Sequence, residues 1–176
     1  MSDVAAEMVV PDVIGEIVAY RAWRIVGPPQ TPRLKSVTFS GGDDQIWPTN
    51  RWFPALCGGH SVCQREKNGT IPGVRCSCGL YAARSMEHLM SMGYAGDSTS
   101  NDVVIGEVGL VGKVIPGQQG WRAEKGRVIR LFMPVADYAR GMVLGEAYNV
   151  DVEIGSWTNG TFKTLEEIVE AQTKGA

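Results

Sequence analysis

The four cysteines of this chain all fall between positions 57 and 78, as Cys57, Cys63, Cys76 and Cys78, and His60 stands among them. In a reducing compartment disulfides are rare, and grouped cysteines more often hold metal. Cys76 and Cys78 are one residue apart, so a bond between them would close a strained ring. Zinc takes thiolate and imidazole in tetrahedral sites, and four protein ligands make such a site structural. The expected set is Cys57, His60, Cys76 and Cys78, with Cys63 as the alternative to His60 or, with His60 kept, to Cys57. Gly58 and Gly59 let the backbone turn between Cys57 and His60, and Gly79 does the same after the second pair. A catalytic zinc would need an open coordination position and a base. The nearest acid is Glu66, and the H-x-E of zinc deaminases is missing because Ser61 and Val62 follow His60.

The chain has 176 residues, the length of one ordinary domain, and can bury a core without a metal to rescue it. Lys and Arg number 17 against 19 Asp and Glu, so general attraction to a phosphate backbone or an anionic membrane is not expected. Met1 to Pro11 carries Asp3 and Glu7 and no basic residue, unlike a secretory signal, and no long apolar run reads as a membrane span. The expected location is cytoplasmic, without membrane partners.

Residues 1–12 read as a flexible arm and 13–176 as a single zinc-containing domain. Ile14 to Val26 is rich in β-branched and aromatic residues and predicts a strand, stopped by Pro28 and Pro29. Leu34 to Phe39 would return as its hairpin partner. After Cys78, GLYAARSMEHLMSMG has helical composition with Gly93 as its stop. Val103 to Ile115 has period two: Val104, Val108, Leu110 and Val114 share one face, Glu107 and Lys113 the other. Gly106 and Gly112 inside that strand predict a bulge and a strongly bent sheet. Val128 to Met133 would be its partner, followed by a helix over Ala136 to Tyr148 and a short strand at Val150 to Ile154. Thr164 and Glu167 match a capping box opening a last helix. The expected fold class is α+β: a small, curved, barrel-like antiparallel sheet with a zinc-binding insertion followed by a helix, and C-terminal helices.

Aromatic and basic residues interleave at Tyr20-Arg21-Ala22-Trp23-Arg24, Arg51-Trp52 and Trp121-Arg122. Such pairs can stack bases and hold phosphates. Arg21 and Arg24 would nevertheless point to opposite faces of a strand, and Trp23 and Trp121 also serve as core anchors. Arg122 and Glu124 share a face and would meet Glu107 and Lys113, as a cross-strand ionic cluster or as a pocket. The candidate binding surface is therefore Arg21, Trp23, Trp121, Arg122, Glu107 and Glu124. No catalytic residue is assigned: with His60 a ligand, His88 alone remains for a His-based triad. Neither a Walker A motif nor a GxGxxG fingerprint occurs.

The segments AYRAWRI, CSCGLYA, GEVGLVGKVI and GWRAEKGRVIRL resemble a family of uncharacterised actinobacterial and actinobacteriophage proteins, over about residues 15 to 135. The departures are GLVGKV, where the family often has an aromatic, and GW in place of G-Y. The resemblance implies Cys57, His60, Cys76 and Cys78 as ligands, with Cys63 in a variable stretch. It also implies a phage protein acting on host machinery in the host cytoplasm. Three functions are compatible with these residues. The first is a non-enzymatic interaction protein with structural zinc and a protein partner. The second is nucleic-acid or modified-nucleotide recognition by a PUA-like barrel. The third is an enzyme with a Glu107/Arg122/Glu124 pocket.

Overall fold

A computed structural model describes residues 15–37, 45–55, 71–73, 77–94, 102–158 and 161–174. Cys57, His60, Cys63 and Cys76 lie outside these residues, as do residues 1–14. The fold is mixed α+β and dominated by one sheet. Its strands are β1 (Ile17–Val26), β2 (Arg33–Ser36), β3 (Phe53–Pro54), β4 (Leu80–Ala83), β5 (Val103–Pro116), β6 (Gly120–Pro134), β7 (Asp151–Thr158) and β8 (Thr161–Thr164). A short helix α1 (Met86–Leu89) runs into a wide turn at Met90–Tyr94. Helices α2 (Tyr138–Tyr148) and α3 (Leu165–Lys174) follow β6 and β8. Among the described residues no helix is long and apolar enough to cross a membrane.

The long hairpin β5–β6 is the frame. Val104, Val108, Leu110 and Val114 are all buried, as their spacing requires. The ladder slips between Glu107 and Val108 and again between Val111 and Val114. Gly112 sits in the second slip with φ of +77°, a conformation that a side chain would strain. These bulges bend the hairpin, so β1 runs along β5 while β4 lies along β6. β4 also touches β1 at one pair, Tyr20↔Ala83, so β1, β5, β6 and β4 form a partial ring rather than a clear barrel.

Two differences from the expected fold have the same origin. Leu80–Ala83 is strand, not the start of a helix, because its backbone completes a ladder with Gly120 to Ala123. β7 lies parallel to β6, since α2 carries the chain back along the sheet before β7 begins, so the sheet is not wholly antiparallel. In both cases the deciding partner is remote in sequence, and for β4 its pairing overrides local propensity. The capping box forms reciprocally: Glu167 N–H donates to Thr164 Oγ1 at 3.3 Å, and Thr164 N–H donates to Glu167 Oε2 at 2.8 Å.

Both sheet faces are covered. Trp23, Leu34, Trp47, Phe53, Leu131 and Leu144 belong to the larger core, and Ala22, Ala83, Leu89, Ile105 and Phe132 to a smaller one beneath α1. Tyr148, at the end of α2, ties the large core together. Its hydroxyl accepts from Leu34 N–H at 2.9 Å and donates to the Trp47 carbonyl at 2.8 Å. Burial raises its pKa above that of an ordinary tyrosine. Replacing Tyr148 with phenylalanine leaves both backbone groups unpaired in a dry site and should cost about 2 kcal/mol in urea unfolding. The raised pKa means that the folded state holds this proton more tightly. The stabilisation is complete below the unfolded-state pKa of about 10 and is lost as pH rises through the folded value.

Candidate functional site: a cavity between α1 and the sheet

The smaller core leaves a cavity of about 330 Å³ where α1 and its following turn pass over β1, β4 and β6. The strands contribute small residues there: Ala22 from β1, Ala83 from β4 and Gly120 from β6. Gly120 stands opposite Ala83 across the β4–β6 ladder, with the Ala82 carbonyl only 2.1 Å from where a Cβ would sit. Tyr20, Tyr81, Tyr94 and Trp121 supply rings around this space, and His88 and Met92 line it from the helical side. Ser85 caps α1, its hydroxyl accepting from His88 N–H at 3.3 Å.

The charged groups at the cavity are Arg21 and Arg122, and no Asp or Glu lies among its described lining residues. Arg21 comes from the face of β1 that points into the large core. Its guanidinium links β4 and β2 near the single β1–β4 ladder pair. Nη1 donates to the Tyr81 carbonyl, Nη2 donates to Ser36 Oγ at 3.1 Å, and the Trp47 ring lies 5.3 Å away. Nε is buried without a hydrogen-bond partner, and no described carboxylate pairs with the group. Desolvation pulls the Arg21 pKa down to about 10, and neighbouring Tyr94 acts in the opposite direction. Arg122 Nη1 donates to the carbonyls of Cys78, at 3.1 Å, and Gly73, at 3.4 Å, which ties the cavity to the cysteine segment.

The residues singled out from the sequence separate. Arg21, Trp121 and Arg122 line the cavity, whereas Trp23 is fully buried in the large core and packs edge-on against Trp47 at 5.3 Å. Glu107 pairs with Arg130 at 3.6 Å. Glu124 accepts from the Lys113 backbone N–H at 3.2 Å and meets Lys125 at 3.3 Å. Neither carboxylate is among the cavity's lining, so Glu107, Arg122 and Glu124 do not converge there. Of the zinc ligand set only Cys78 is described; it is buried, and among the described residues no group of three metal-binding side chains gathers.

The arginine–aromatic pairs are largely spent within the chain. Arg84 lies over Trp121 at 4.2 Å and Arg127 over Trp52 at 5.3 Å, with Arg127 Nε also bound to Glu16 at 2.7 Å. Trp52 and Arg127 border a second hollow near Tyr148 and Asn149. Sequence reasoning missed Tyr20, Tyr81, Tyr94, Ala22 and Ala83 as site residues. The signal for two of them was LYAA itself: as a strand it puts Tyr81 and Ala83 on one face, which the helical reading hid.

Comparison with protein-family models, curated proteins and solved structures found no match to this chain.

Proposed function

We propose that this protein is a non-enzymatic binding module and that the cavity between α1 and the sheet is its recognition site. The observation that carries the reading is the make-up of that cavity: ring faces, small side chains and two guanidinium groups, with no carboxylate among its described lining. A volume of about 330 Å³ is at the small end of ligand pockets and suits one ring system rather than an extended chain. General acid–base or nucleophilic chemistry would ask for a base beside a second reactive group. His88 is the one ordinary base among the described lining residues. A ¹⁵N-HSQC titration with a set of aromatic fragments tests the reading. Amides of Ala22, Ala83, His88 and Gly120 should shift together, and a screen that moves none of them rejects the site.

The zinc enters as a further part of the proposal. Ligation by Cys57, His60, Cys76 and Cys78, or with Cys63 substituting, would pin the segment that leads into β4. The Arg122 bond to the Cys78 carbonyl would link that clasp to the cavity. Elemental analysis of the purified chain should then find about one zinc ion per molecule, reduced by Cys78→Ser. Protein that holds no metal after desalting removes zinc from the proposal. The resemblance to actinobacteriophage proteins would make the natural partner a component of host machinery, presenting a single ring-bearing group to the cavity.

A second reading is modified-nucleotide recognition by a finer, PUA-like arrangement of the partial ring, favoured by the arginines and rings around the same cavity. Gel shifts at two salt concentrations separate it from the first. A nucleic-acid complex would form at low salt and weaken steeply as salt rises, whereas no complex at low salt excludes it.

A further inference from the structure

We infer that the cavity is an anion-accepting site whose ligand is a planar aromatic ring carrying a carboxylate or phosphate group. This deepens the binding reading above and rests on it. Arg21 carries the argument. It is 7% exposed, so it is cut off from bulk water, yet it has no described carboxylate partner and its Nε is unpaired. A buried cation without a counter-charge is costly, because the partner that normally offsets desolvation is missing. Elsewhere the same fold supplies that partner. Arg127 meets Glu16 at 2.7 Å, Arg130 meets Glu153 at 2.8 Å, and Arg140 meets Asp102 at 3.2 Å. Arg21 differs from all three in having no described carboxylate partner, and the cavity it lines has room for a counter-charge from outside.

The neighbours of Arg21 narrow the ligand. A second guanidinium, Arg122, lines the same space, and guanidinium forks match carboxylate and phosphate oxygens. Ala22, Ala83 and Gly120 leave a surface free of branched side chains, and Tyr20, Tyr81 and Tyr94 offer ring edges and faces to a flat group. The ligand therefore combines a ring for the tyrosines with an anion for the arginines.

The test uses matched anionic and neutral ligands on the unmodified chain, by calorimetry or ligand-detected NMR: benzoate against benzamide, and uridine monophosphate against uridine. The anionic member should bind at least about tenfold more tightly in one pair, the scale of a hydrogen bond to a charged group. The pair that shows this difference tells whether the anion is a carboxylate or a phosphate. Equal affinities within both pairs overturn the anion site but leave the binding reading standing. No binding by any of the four overturns the inference, and with a silent fragment screen it overturns the binding reading too. Arg21→Gln should erase the preference for the anion within the pair that showed it. A preference that survives this change also overturns the inference. Should Arg21→Gln fail to fold, the comparison on the unmodified chain still decides.

Discussion

Replacing Trp47 with alanine is expected to lower stability by about 4 kcal/mol, within the range for deleting a buried aromatic ring. The ring is 1% exposed and stacks on Phe53 at 4.9 Å with a 10° interplanar angle, while meeting Trp23 edge-on at 5.3 Å. Its Nε1–H donates to Ser36 Oγ at 3.0 Å, the same oxygen that accepts from Arg21. Alanine therefore removes two aromatic contacts, one buried hydrogen bond and the ring beside a buried guanidinium. Urea unfolding followed by circular dichroism measures the loss. Trp47→Phe keeps a ring against Phe53 and should cost about half as much. A loss under about 1.5 kcal/mol for the alanine variant would show that the neighbouring residues close over the void and that Trp47 is not the anchor of the core.

Gly120→Ala should cost about 3 kcal/mol and also abolish fragment binding in the cavity. The added Cβ would lie 2.1 Å from the Ala82 carbonyl oxygen and 3.1 Å from its carbon, both backbone atoms of the paired strand. Neither can rotate aside, so β4 must move as a unit. β4 is four residues long and meets β1 at one pair, so this movement opens the ring beside Arg21. Gly117→Ala is the matched control. There the nearest atom would be 3.5 Å from the added carbon, an ordinary contact, and the residue is exposed, so stability should hardly change. If Gly120→Ala matches that control in both unfolding and binding, the close packing of β4 against β6 does not shape the cavity.

Several elements were legible because their signals are local. The alternation of Val104, Val108, Leu110 and Val114 predicted a buried face, and Gly112 marked the bulge that breaks the β5 register. Thr164 and Glu167 announced a helix start that needs only the residues between them. Arg21 and Arg24 were expected on opposite sides of β1, and the first is buried while the second is exposed. Leu80–Ala83 was not legible as a strand, because Leu, Tyr and Ala suit a helix as well and the deciding ladder is formed by residues about forty positions away. β8 was missed for a related reason: its four residues gain strand character by pairing with β7.

What the amino-acid order determined alone was whatever depends on near neighbours: the strand period along β5, the bulge, the last helix cap and the crowding of cysteines ahead of β4. Tertiary structure decided which segments became neighbours, and with that the site. A cavity is the space left when β1, β4, β6 and α1 meet, and Arg21 acquires its unusual character only when Tyr81, Ser36 and Trp47 close around it. Burial and charge compensation are properties of surroundings drawn from the whole chain, so no pattern along β1 alone encodes them.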